Sequence, residues 1–99
     1  MGVRLDRSIV IARGKNEEAM KFASDICSYF EELTGTKLIW GLEVGGTVGK
    51  VHWFADYDIF AAMEAGLGMT MSDAGYAELL ASANDFFVGS AEDTWVYTM

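Results

Sequence analysis

The sequence predicts an α+β domain with a ferredoxin-like β-α-β-β-α-β chain order and a four-stranded antiparallel sheet. Three observations carry this. Hydrophobic patterns run strand, helix, strand, strand, helix, strand across the 99 residues. Glycines interrupt them at Gly14, Gly35 and Gly45-Gly46, where turns are needed. The aromatic stretch Val51-His52-Trp53-Phe54 falls where the third strand belongs.

The first strand is read at Ser8-Ile9-Val10-Ile11-Ala12, apolar and β-branched, running into a turn at Gly14-Lys15-Asn16. Asn16 is the expected N-cap of the first helix, with Glu17 and Glu18 placed to favour the positive end of the helix dipole. Ala19, Phe22, Ala23, Ile26, Cys27, Tyr29, Phe30 and Leu33 recur at spacings of three and four, one buried helix face. Thr34-Gly35 stops the helix. Strand two is Lys37 to Val44, with Leu38, Trp40, Leu42 and Val44 sharing a face. The glycine-rich link from Gly45 to Lys50 suits a hairpin into strand three, Val51 to about Ala55. Asp56-Tyr57-Asp58 precedes a helical pattern at Ile59, Phe60, Met63 and Leu67. Gly66, Gly68 and Ser72-Asp73 then predict a helix broken near 66–73. Tyr76, Leu79, Leu80, Ala83 and Phe87 continue at helical spacing to Gly89-Ser90, and Glu92 to Thr98 alternates into a last strand.

Length and a hydrophobic content of 52% fit one domain spanning residues 1–99. Fifteen acidic against seven basic residues give a formal charge of -8, a field that repels nucleic acid and anionic membrane surfaces. No segment has the length of a signal core or membrane span, and the single Cys27 can form neither an internal disulfide nor a multi-cysteine zinc site. The reading is a protein of the reducing cytoplasm, with no nucleic-acid or membrane partner.

Two crossover segments can cover only one side of a four-stranded sheet. Strand three puts Val51 and Trp53 on one face and His52 and Phe54 on the other, and strand one sets Ile9 and Ile11 against Val10 and Ala12. Two apolar faces predict a homodimer packed sheet against sheet. The alternative is a second face merely less polar than average.

Lys50-Val51-His52-Trp53-Phe54-Ala55-Asp56-Tyr57-Asp58, the segment Gly75-Tyr76-Ala77-Glu78-Leu79-Leu80, and the close from Phe86 to Trp95 resemble the dimeric α/β-barrel superfamily, especially its NIPSNAP-like and antibiotic-biosynthesis-monooxygenase-like members. The resemblance implies a dimeric α/β barrel. It allows cofactor-independent oxygenase or cyclase chemistry on an aromatic or polyketide-like molecule, but the superfamily also contains members with no known activity. Its haem degraders use a histidine on the second helix; Ile59 to Val88 contains none, which argues against haem. No cofactor is expected.

His52, the only histidine, is the first proton-transfer candidate, with Tyr76 and Tyr97 beside it. Against this, a lone histidine on an apolar strand is more often a hydrogen-bonded core or interface residue. Trp40, Trp53, Phe60, Met63, Phe86 and Trp95 are the candidate walls of a pocket for a flat apolar molecule, although the same residues would also fill an ordinary core. Met63, Met69 and Met71 near two glycines suit either an adaptable lid or gap filling. Gly45-Gly46 and Gly49 do not form a phosphate loop, since they join two strands and lack the lysine-serine/threonine ending. One histidine and one thiol on different elements predict no metal site. Two functions stay open: a small-molecule-binding dimer with possible catalysis, and a non-catalytic oligomerisation or ligand-binding module.

Overall fold

In the computed structural model, which describes residues 1–99, the chain runs β1 (Gly2–Ile11), α1 (Asn16–Thr34), β2 (Leu38–Leu42), β3 (Lys50–Tyr57), α2 (Phe60–Met71), α3 (Ala74–Ser82), a single 3₁₀ turn (Asn84–Phe86) and β4 (Phe87–Thr98). The sheet order is β2-β3-β1-β4 with every neighbouring pair antiparallel, the ferredoxin-like arrangement that the hydrophobic patterns predict. No helix is long and apolar enough to cross a membrane.

Strand β1 starts six residues earlier than predicted. Val3, Leu5, Ile9 and Ile11 continue one apolar parity back through the charged residues between them, so Arg4, Asp6 and Arg7 belong to the strand. Val3 and Leu5 are buried beneath the helices, opposite Tyr57 and Ala55 of β3. The other face of β1 therefore carries Arg4, Asp6, Ser8 and Val10, and this open face is less apolar than expected.

Helix α1 buries Ala19, Phe22, Ala23, Ile26 and Phe30, the predicted face, against the sheet. Asn16 lies in its first turn and makes no side-chain cap; Lys15 holds the cap position. At the other end Gly35, at φ 77°, takes the left-handed conformation that glycine adopts without a Cβ penalty and returns its N–H to the Glu31 carbonyl.

The second crossover is two helices, but the break falls only at Ser72-Asp73. Gly66 stays helical and has a packing role: a Cβ there would stand 3.0 Å from the Tyr57 hydroxyl, so its absence lets α2 settle onto β3. Asp73 restarts the chain as the N-cap of α3, accepting the Tyr76 N–H at 2.8 Å while Tyr29 of α1 donates its hydroxyl to the same carboxylate. Helix α3 ends at Ser82, before Phe87, which opens β4 instead of closing a helix. Gly89, at φ 73°, lies in β4 where its register against β1 shifts between Ser8 and Val10, a bulge and not a helix stop.

Candidate functional site

The register lays a row of side chains across the helix-facing side of the sheet: Trp40 opposite Trp53, Trp53 opposite Arg7, and Arg7 opposite Asp93. Trp53 anchors the row. Its indole N–H donates to the Ala23 carbonyl of α1 at 3.2 Å, and its ring meets Phe22 and Phe87 edge-on. Around this row α1, α2 and α3 stand off the sheet and leave a cavity of about 210 Å³. Phe22, Ile26 and Phe30 form its α1 wall, Tyr76 and Leu80 its α3 wall, and Arg7 is the only charged residue among its lining side chains.

Arg7 is held by a two-point contact, Nε to Asp93 Oδ1 at 2.7 Å and one Nη to Oδ2 at 2.8 Å. This pairing raises the guanidinium above its ordinary pKa and lowers the Asp93 carboxyl, so both are charged across the ordinary pH range. Burial pushes the Tyr76 phenol upward, with the Arg7 charge pulling weakly the other way, so this hydroxyl is a neutral donor at pH 7.

The predicted site residues are distributed over several places. Tyr76 and Trp53 line the cavity. Trp40 and Phe86 pack against the main core cluster without lining it. Met63, fully buried, and Phe60 belong to a second cluster beneath α2, where Phe60 meets Trp95 edge-on at 5.2 Å. Trp95 and Tyr97 project on the helix side of the edge strand β4, 51% and 61% exposed, and line no part of the cavity.

His52 points to the opposite, open face. Its Nδ1 lies 2.9 Å from Asp6 and its Nε2 2.7 Å from Glu43. The hydrogen bond to Asp6 chiefly raises its pKa, partial burial opposes this, and the Glu43 bond adds to the rise. The imidazole stacks on Phe54 at 5.8 Å, with Arg4 on the same ring and bound through two contacts to Asp56. Cys27 is half-buried with its thiol pushed up to about 11 by burial, which leaves it a poor nucleophile. No three His, Cys, Asp or Glu side chains are grouped to hold a metal ion.

Sequence reasoning missed Arg7 and Asp93. Both occupy positions whose strand neighbours two residues away are apolar: Leu5 and Ile9 around Arg7, and Ala91 and Trp95 around Asp93. A charge of each sign on the apolar parity of two strands was the available signal.

No protein-family model matches the sequence, and no curated protein is recognisably similar to it. Solved structures do match. A NIPSNAP-family protein of unknown function from Agrobacterium tumefaciens superposes with a TM-score of 0.80 at 13% identity, covering 96% of this chain and 86% of that one. An uncharacterised NIPSNAP domain protein from Burkholderia xenovorans gives 0.82 at 16%, covering 98% and 94%. A candidate antibiotic biosynthesis monooxygenase from Nitrosomonas europaea gives 0.74 at 9%, covering 99% and 90%. The chain therefore has the ferredoxin-like fold of the NIPSNAP proteins, the resemblance its sequence carries.

Proposed function

We propose that this protein is a homodimer that binds a small, flat, apolar molecule between its sheet and its helices. The observation that carries the reading is the cavity. An apolar void of about 150 Å³ is enough to bind benzene, so about 210 Å³ walled by Phe22, Ile26, Phe30, Trp53 and Leu80 suits a one- or two-ring molecule. Of the three proton-transfer candidates only Tyr76 lines this space, which makes it the residue on which oxygenase or cyclase chemistry would depend. His52 contributes instead to the open face.

Dimerisation is supported by the open face and by β4. Ile39, Phe54, Val10 and Val96 share the side of the sheet that no helix covers, and every residue of β4 after Phe87 is exposed although the strand is 12 residues long. A long bare edge beside an apolar patch invites a second copy. A purely oligomeric module without a ligand is the second reading, favoured by that same exposed strand.

Calorimetric titration with tetralin, a two-ring hydrocarbon, separates the two. The expected result is saturable binding at one site per chain, abolished by Leu80→Trp with the circular dichroism spectrum unchanged, because Leu80 is a half-exposed wall residue that can accept a larger ring. No binding by the folded wild type would leave the oligomeric module. Light scattering should give about twice the 10.8 kDa chain mass at micromolar concentration; a stable monomer would remove the dimer.

A further inference from the structure

The Arg7–Asp93 pair gives the cavity a polar end with an unusual balance. A guanidinium offers five N–H donors, and Asp93 takes only two of them, through Nε and one Nη. No other hydrogen bond uses the Arg7 side chain, and the Tyr76 hydroxyl, on another wall of the cavity, makes none at all. Unused donors are therefore contributed from β1 and from α3 to one apolar space. The paired charges cancel, so this end is rich in donors yet carries no net charge.

Resting on the reading of the cavity as a ligand site, we infer that Arg7 and Tyr76 recognise a neutral carbonyl oxygen on the bound molecule, so that the ligand class is a flat aryl ketone or quinone and not a carboxylic acid. A carbonyl oxygen has two lone pairs and can accept from both the phenol and the guanidinium without disturbing Asp93. A carboxylate would approach the only cation of the cavity where Asp93 has already paired it, and the two like charges would repel. A bare hydrocarbon would fit but leave the buried phenol unpaired. Asp93 is a positioning residue here: it fixes the guanidinium through Nε and one Nη and leaves the remaining N–H donors unused by the protein.

Three probes built on one bicyclic ring system test this: tetralin, 1-tetralone and 1,2,3,4-tetrahydro-1-naphthoate, titrated calorimetrically into the wild-type protein and two variants. The expected order is tetralone tightest, by roughly tenfold over tetralin, with the carboxylate weakest. Tyr76→Phe should remove most of the tetralone advantage while leaving tetralin affinity unchanged. Arg7→Met combined with Asp93→Leu should do the same; removing both partners avoids stranding one charge in an apolar space. Equal affinity for tetralin and tetralone, tightest binding of the carboxylate, or an undiminished tetralone preference in both variants would each overturn the inference while the cavity reading stands. Failure of tetralin and tetralone alike to bind the folded wild type would overturn the cavity reading, and this inference with it.

Discussion

The two faces of the sheet hold similar residue types and use them in opposite ways. Beneath the helices, Trp53 is anchored to a backbone carbonyl and Arg7 is clamped in an apolar space; one residue along each strand, Phe54 and Asp6 look out from the uncovered side. On the covered face the charged pair is the exception, and its Arg7 borders an apolar cavity. On the open face apolar and charged residues are mixed: Phe54, with Ile39, Val10 and Val96, is set among Arg4, Asp56, His52, Asp6 and Glu43. A residue's chemistry therefore depends on its parity along the strand more than on its type. The single histidine, the obvious chemical group in the sequence, belongs to the surface without the cavity.

The largest expected difference between the faces is in stability. Trp53→Ala should lower the unfolding free energy by about 3–5 kcal/mol, because it removes a large side chain from a packed site and leaves a void. Phe54→Ala, on the uncovered face, should cost less than about 2 kcal/mol in dilute protein and shift the assembly constant at higher concentration. Chemical denaturation at two protein concentrations reads both. Equal costs at low concentration would mean that the open face is as well packed within one chain as the core.

Most of the covered face was legible in advance. The helix pattern from Ala19 to Phe30 marks buried residues because a 3.6-residue period has no other efficient solution, and the strand order follows from pattern order. Segment ends were less legible. Arg4, Asp6 and Arg7 look like a polar tail until pairing with β3 and β4 gives each a partner, so the start of β1 depends on contacts more than 45 positions away. Phe87 fits a helical spacing with Ala83 and also the apolar parity of β4, and only the 3₁₀ turn between them decides. The site was the least legible part. The candidate walls Trp40, Phe60, Met63, Phe86 and Trp95 pack elsewhere, because composition does not reveal where helices stand away from a sheet.

Next in size is the effect of His52→Gln. Replacing an imidazole that bridges Asp6 and Glu43 should weaken the dimer by about 1–3 kcal/mol, read by sedimentation equilibrium, and leave tetralin affinity unchanged; loss of tetralin binding would join two faces that the geometry separates. The pH dependence follows by linkage. The His52 pKa is raised in the folded chain, so its stabilisation is complete below the ordinary value of 6.5 and is lost as pH rises through the folded value. Glu43 is lowered, first by its bond to His52, so its contribution is present above 4.5 and lost as pH falls through its folded value. Wild-type stability relative to His52→Gln should therefore peak between about pH 4.5 and 6.5. A difference independent of pH would show that the cluster is not ionised as described.

The smallest effects compare two glycines in α2. At Gly68 an added Cβ meets nothing within 4 Å, so Gly68→Ala should stabilise by up to about 1 kcal/mol through helix propensity. At Gly66 the same change meets the Tyr57 hydroxyl, and the gain should be lost. That hydroxyl is buried without a hydrogen-bond partner, so Tyr57→Phe should be neutral or mildly stabilising and should restore the benefit of Gly66→Ala. Thermal unfolding of the double mutant checks this. Equal stabilisation by both glycine changes in the wild type would refute the close approach of α2 to β3.

The most direct test of the division between the faces is one nuclear magnetic resonance titration of 1-tetralone into labelled protein, following the Trp53 indole N–H, the Arg7 Nε–H and the His52 ring together. The expected result is saturable shifts at Trp53 and Arg7 with His52 unmoved. Shifts confined to His52 and the open face, with Trp53 and Arg7 silent, would place the ligand on the wrong side of the sheet and contradict the account.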